Sequence, residues 1–375
     1  MDLSVQPYEV HVADTVLADL RTRLRATRWP EPAPGPAWSQ GTDLDYLRAL
    51  TSYWADGFDW RAQESRLNGY NHFLAEIDGV QVHFVHQASG KPPLILTHGW
   101  PSTFAELLPL VDRLAEHFDL VVPSLPGYVF SSRPAKVGVD RAYVAHLWHH
   151  LMQGLGYGRY GACGGDFGAG VATYMALTEP TRMVGVHLST PEVSPYLGLG
   201  SAPLTPREVA YLEHVGRWDE TERGYSAIQS TRPQTLGYGL SDSPVGLAAW
   251  LVEKWRAWSD SNGDLDAHIG RDVLLTTITL YWATNSITSS MRDYFDNRWH
   301  TNAIGPDDRV RTPTAMAVFA NEFVREGEPP RELFERLYDI RRWTVFPHGG
   351  HFAAIEAPDA LASDIRAHFD ALLPA

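Results

Sequence analysis

The sequence predicts an α/β fold in which a mostly parallel sheet is flanked by helices, interrupted by a helical insertion and preceded by a helical extension. Three observations carry that expectation. Between residues 72 and 190, short apolar runs such as Leu94–Thr97, Leu120–Pro123 and Tyr160–Cys163 alternate with helix-length stretches, the pattern of strands joined by helical crossovers. From about Pro191 to Asn297 the alternation stops, and amphipathic segments rich in Trp and Tyr take over, Val245–Trp258 among them. Strand character then resumes at Thr314–Phe319 and Trp343–Phe346, and Pro358–Leu372 reads as a closing amphipathic helix.

In chain order, residues 1–70 form the extension. Val16, Leu17, Leu20 and Leu24 recur at helical spacing within Val12–Ala26, and a second helix is expected over Leu44–Ala55. Between them Trp29–Ser39 holds four prolines and reads as an extended strap pinned by Trp29 and Trp38. Residues 71–190 are the first part of the core, opening with a hairpin in which Phe73–Ile77 and Val80–Val85 flank the turn pair Asp78-Gly79. Residues 191–298 are the inserted cap, and 299–375 complete the core.

Composition narrows the function. A formal net charge of −14, from 31 Lys+Arg against 45 Asp+Glu, repels phosphate backbones and anionic lipid, so neither nucleic acid nor a membrane surface is an expected partner. The single cysteine, Cys163, cannot form an internal disulfide. The first ten residues lack a basic start and apolar stretch, and no apolar run is long enough to span a bilayer. A cytoplasmic protein is the expectation. The aromatic load of 13 Trp, 16 Tyr and 14 Phe serves either a core or an apolar pocket.

The most informative residues are Gly164-Gly165-Asp166-Phe167-Gly168, between the strand ending at Cys163 and a helix expected to start near Ala169. A sharp strand–turn–helix with small residues two before and two after a reactive side chain is a nucleophile elbow, the signature of the α/β-hydrolase fold. Asp in the reactive position can attack carbon and form an ester; on its own it could equally be a helix N-cap. The fold orders its triad nucleophile, acid, histidine, and all three can be placed. His351, in Pro347-His348-Gly349-Gly350-His351-Phe352, is the favoured base, with His348 left open by the residues alone. Glu322, just past Thr314–Phe319, is the favoured acid, ahead of Glu326 and Glu328 in a charged loop. His98-Gly99-Trp100-Pro101 follows the first buried strand, so the backbone N–H groups of Trp100 and Phe167 are the expected oxyanion donors, with His98 structural. Counted from Asp260, a calcium loop would need Gly and Glu where Leu265 and Arg271 stand, and His146 and His150 lack the glutamate of a zinc protease motif. They read as a polar turn and a helix surface.

Together these stretches resemble the epoxide hydrolase family, in the branch holding the microsomal enzymes and their soluble bacterial and fungal relatives. The likeness covers nearly the whole chain. It rests on the Trp-Pro strap, His98–Pro101, Pro123–Tyr128, Gly164–Gly168, Asp242–Leu247 and Gly349–Phe352, in preserved order. The resemblance selects His351 over His348. It also implies two cap tyrosines that hold the epoxide oxygen, at Tyr225 and Tyr294, although Tyr238 and Tyr281 are similar by pattern. It implies a small-molecule epoxide substrate, with no cofactor and no metal; the aromatic cap suggests a bulky or aromatic epoxide, and the helical extension offers a surface for self-association. Two departures concern Phe167, where relatives often carry Trp, and Phe319-Ala320-Asn321-Glu322, where Pro usually follows Phe. The membrane anchor of microsomal relatives is not seen in this sequence. The alternatives are a haloalkane or haloacid dehalogenase with the same Asp nucleophile, or an inactive binding module.

Overall fold

The computed structural model describes residues 3–190, 192–301, 303–322 and 328–373. Among the described residues nine strands form one sheet in the order β1-β2-β3-β5-β4-β6-β7-β8-β9. They are β1 (Val5–Tyr8), β2 (His72–Ile77), β3 (Val80–Gln87), β4 (Pro93–Thr97), β5 (Asp119–Pro123), β6 (Tyr160–Gly164), β7 (Met183–Leu188), β8 (Val310–Phe319) and β9 (Tyr338–Phe346). Pairings from β1 through β3 to β5 are antiparallel, and all others are parallel. Strands β4 and β5 are almost wholly buried because helices cover both faces, which is why they read as unbroken apolar runs. Asp78 and Gly79 both take positive φ, the geometry that a two-residue hairpin turn requires.

The fold class expected from sequence is the one observed. Two strands escaped the pattern. β1 is a four-residue edge strand containing Pro7, and proline is tolerated there because an edge strand leaves N–H groups unpaired. β7, Met183-Val-Gly-Val-His-Leu, is broken in pattern by Gly185 and by His187, which is buried against Asp364 at 2.9 Å. The helix after the elbow begins at Phe167, two residues ahead of expectation. The segment after His98–Pro101 is a short 3-10 turn, Phe104–Leu107, leading into helix Leu108–Leu114.

Between β7 and β8 the described chain is helical, from Pro206–Glu222 to Ile287–Trp299, and includes the long apolar helix Pro244–Trp258. The N-terminal extension ties this insertion to the sheet. Its helices Asp14–Arg25 and Leu44–Asp56 are joined by a third, Trp60–Leu67. Trp54 Nε1 donates to Thr279 at 2.9 Å, Tyr46 to Asp266 at 2.8 Å, and Thr42 to the carbonyl of Ala249 at 2.7 Å. The strap is held as its tryptophans suggest: Arg48 lies over Trp29 and Arg256 over Trp38, which also packs on Tyr46. Among the described residues no helix is long and apolar enough to cross a membrane.

One buried carboxylate organises the extension. Glu64 Oε1 accepts from the Val12 backbone at 2.7 Å and from Trp60 Nε1 at 3.0 Å, while Oε2 takes Arg61 at 2.5 Å. Glu64→Ala strands two buried donors, and each costs more unpaired than it contributes when paired. The expected loss is about 2–4 kcal/mol, read as a lower urea midpoint at unchanged slope. A shift below about 0.5 kcal/mol would mean that water replaces the carboxylate.

Candidate active site

The site begins with crowding at the end of β6. A Cβ on Gly164 would stand 2.3 Å from the Gly168 backbone, and one on Gly168 would stand 2.0 Å from the Thr97 carbonyl. No side chain fits either position. The chain can therefore turn from strand to helix within a few residues, and Asp166 is left at φ 51°, ψ −131°, a conformation that costs a non-glycine residue about 1–3 kcal/mol. Its side chain makes no capping hydrogen bond to the second or third N–H of the helix, which removes the ordinary reason for an Asp here. Instead Asp166 Oδ1 accepts from the Trp100 N–H at 2.9 Å, and the Phe167 N–H also bonds the carboxylate. Burial pushes this carboxyl up, while His351, the two N–H groups and Arg141 pull it back.

The histidine arrives on the loop after β9. His351 Nε2 lies 3.8 Å from Asp166 Oδ2, and Nδ1 lies 2.8 Å from Glu322 Oε1. Glu322 is itself held by Thr190, whose hydroxyl donates to Oε2 at 2.8 Å. The loop is fastened to the cap: the His351 N–H donates to the Trp258 carbonyl at 2.9 Å, and the Gly349 N–H to Asp260 Oδ2 at 3.0 Å. Glu356 accepts from the Asp260 and Phe352 N–H groups and from His268. Burial would lower the imidazole pKa, but Glu322, then Asp166 and Glu106, outweigh it and lift it to about 9.

Across from the carboxylate stand Tyr225 and Tyr294, from helices Gly224–Gln229 and Ile287–Trp299. Their rings meet edge-on at 5.7 Å and their hydroxyls interact. Trp100 stacks flat on Tyr225 at 5.4 Å and meets Tyr294 edge-on at 5.6 Å; Phe167 meets Tyr294 at 4.9 Å. Burial, then the charge on Asp166, raises Tyr225 well above the usual phenol range; burial, Tyr225 and Asp166 do the same for Tyr294. Both phenols therefore stay protonated at any ordinary pH.

The structure thus brings Asp166, His351, Glu322, Tyr225, Tyr294 and the N–H groups of Trp100 and Phe167 into one constellation. The alternatives fall elsewhere. His348 is exposed, Glu328 is an exposed partner of Arg207 at 3.2 Å, and Glu326 lies outside the described residues. Tyr238 is exposed, and Tyr281 is buried with its hydroxyl on the Ser102 carbonyl at 2.8 Å. His98 is buried and accepts from the Leu125 N–H at 3.2 Å, in keeping with a structural role. Asn262 and Gly263 form a positive-φ turn in the stretch set aside as a calcium loop. His146 and His150, assigned to a plain helix surface, both approach Asp78, at 3.2 and 3.4 Å. Sequence reading missed Thr190, Trp258, Lys254 and Glu106. Lys254 is buried, with Nζ 4.8 Å from the Tyr225 ring centre. Glu106 had one signal, a lone carboxylate in the apolar run Phe104–Val111.

A model described as the epoxide hydrolase N terminus matches residues 5–107, and one for the alpha/beta hydrolase fold matches 92–215. A Stigmatella aurantiaca protein is 38% identical over 97% of this chain and 84% of its own. Epoxide hydrolase 1 of Sus scrofa is 34% identical over 97% of this chain and 88% of its own. The crystal structure of juvenile hormone epoxide hydrolase from Bombyx mori superposes with a TM-score of 0.89 at 29% identity, covering 99% of this chain and 95% of that one. For the Aspergillus niger epoxide hydrolase structure the TM-score is 0.86 at 28% identity, covering 99% and 97%. Likeness of this extent, with a carboxylate at the elbow of an α/β-hydrolase fold, makes the chain a member of the epoxide hydrolase family.

Proposed function

We propose that this protein hydrolyses a small-molecule epoxide to a vicinal diol through a covalent ester on Asp166. One observation carries the reading: the elbow presents a carboxylate, not a hydroxyl, and two protonated tyrosines face it. In the first step Asp166 Oδ2 attacks an epoxide carbon and the ring C–O bond breaks. The alkoxide that forms takes a proton from Tyr225 or Tyr294. Phenols suit this task because they donate without prior ionisation, and burial keeps them from ionising.

In the second step water attacks the ester carbonyl while His351 Nε2 accepts its proton, with Glu322 holding the ring in the useful tautomer. The Trp100 and Phe167 N–H groups, already on the carboxylate, stabilise the oxyanion. Collapse releases the diol as its departing oxygen takes the proton from His351, which returns to neutral imidazole, and the proton lost by the regenerated Asp166 carboxyl restores the tyrosine. Alkylation also prepares the base. Asp166 loses its charge on becoming an ester, so one of the causes holding His351 high disappears. The aromatic side chains clustered beside Asp166, Trp100, Trp258, Tyr225, Tyr294 and Phe167, favour a bulky or aromatic epoxide.

A single turnover of excess enzyme with styrene oxide in heavy-oxygen water tests the ester. Light oxygen in the diol and heavy oxygen in Asp166 are expected; heavy oxygen in the diol with unlabelled Asp166 would mean direct attack by water. His351→Gln should accumulate the ester, seen as added mass on the protein, and Asp166→Ala should form none.

Tyr225→Phe and Tyr294→Phe each remove one donor to the alkoxide, so each should slow ester formation by about 10²-fold. If instead halide is released from haloalkanes at rates matching diol formation, the tyrosines are not the determinant and the dehalogenase reading gains.

The two steps should respond differently to pH. Ester formation needs ionised Asp166, whose carboxyl is raised, so its rate falls on acidification and holds on the alkaline side, where the tyrosines remain protonated. Ester hydrolysis needs neutral His351, so it rises with pH, with a midpoint below the value of about 9 that the ionised Asp166 supports. Rapid-quench rates at several pH values check both; an acid-favoured hydrolysis step would exclude His351 as the base.

A further inference from the structure

Behind the nucleophile lies a small cavity of about 40 Å³, which Asp166 and His351 share with Ser102 and Glu106. Leu107 and Ile365 close its far side. A polar site needs only about 10–15 Å³ of this kind of volume to hold a water, so the space suits water and is far too small for an epoxide. Its polar wall is built. Ser102 is 2% exposed, and its backbone is fixed by the Gly99 carbonyl at 3.2 Å and by the Tyr281 hydroxyl at 2.8 Å. Its own hydroxyl is buried and its polar neighbour is the Glu106 carboxyl, at a geometry too poor to saturate it. Glu106 is 9% exposed on the 3-10 turn that Thr103 caps. A buried hydroxyl and a buried carboxyl that interact with each other and line one cavity with His351 leave their remaining hydrogen-bonding capacity for a held water.

We propose that Ser102 and Glu106 hold the hydrolytic water against His351 and the Asp166 carbonyl carbon, and act in the second half of the reaction alone. This rests on the ester route proposed above. Burial pushes the Glu106 carboxyl up to about 7, with Ser102 and His351 drawing it down and Asp166 and Glu356 pushing it up. Near neutral pH it therefore offers both a protonated form that donates and an ionised form that accepts. Ser102 can take either role through rotation of its hydroxyl. The water's remaining proton points to His351 Nε2, which abstracts it as the oxygen bonds to the ester carbon. Epoxide opening happens on the opposite side of Asp166, under the tyrosines, and needs neither residue.

The test separates the two half-reactions. Excess enzyme is mixed with styrene oxide, quenched at intervals, and the protein mass is followed. In Ser102→Ala and Glu106→Leu the ester should form within about threefold of the unaltered rate and decay at least about tenfold more slowly, so that it accumulates. Glu106→Gln, which keeps a donor and an acceptor, should restore most of the decay rate. Unchanged decay in Ser102→Ala and Glu106→Leu overturns the proposal, as does formation slowed in step with decay, which would mark a merely structural role. If Glu106→Leu does not fold, Ser102→Ala decides. Failure of the ester route looks different: the unaltered protein would make diol with no added mass at any time.

Discussion

Everything in the site is referred to one strained residue. Asp166 sits at positive φ because the strand and helix around it cross too closely for side chains at Gly164 and Gly168. The conformation is costly, and it is maintained by the packing of β4 against the helix Phe167–Thr178. Gly168 touches the Thr97 carbonyl, the last residue of β4, and Trp100 follows three residues later. The contact that forces the turn therefore also brings the Trp100 N–H onto Asp166. The Asp166 carboxylate and the Trp100 N–H cannot drift apart without relieving the crowding that made the elbow.

The other half of the site depends on a seam. Asp166 and Glu322 belong to the sheet, the tyrosines belong to the insertion, and His351 is bonded to both. Its N–H takes the Trp258 carbonyl, and Gly350 leaves no room for a Cβ, which would stand 2.5 Å from that same oxygen. The seam is reinforced at a distance by the N-terminal extension, which pairs β1 with β2 on one side and donates Trp54, Tyr46 and Thr42 to the insertion on the other. Interactions at the far face of the molecule thus help to fix the distance between the tyrosines and the nucleophile.

The sequence was readable wherever local chemistry has one solution. The elbow has a fixed spacing of small residues, the Asp-Gly turn a fixed geometry, and buried parallel strands read as apolar runs, so β4, β5, β6 and the hairpin were visible. β1 and β7 were not, because an edge strand with Pro7 and a strand interrupted by Gly185 and His187 violate the pattern while tertiary pairing still holds them. The same divide runs through the site. Asp166 has a local signature; Thr190, Ser102 and Glu106 acquire meaning only when distant segments converge. Thr190 lies 132 positions from the Glu322 it steadies, and no periodicity encodes such a contact. His351 and His348 were separable by family likeness, and in space the difference is plain: one is buried on Trp258, the other faces solvent.

Low dielectric serves opposite ends within a few ångströms. For the tyrosines, burial works unopposed and keeps the acid form. For His351, burial alone would favour the neutral ring, yet three carboxyl groups surround it and reverse the outcome. That reversal is conditional on charge that the proposed ester route removes. With Asp166 ionised, a proton on His351 is well supported and the ring is a poor base. With Asp166 esterified, that support weakens while Glu322 still fixes the ring's orientation. In the proposed route His351 is thus a base held in reserve until the ester exists, an ordering that electrostatics favours without any moving part.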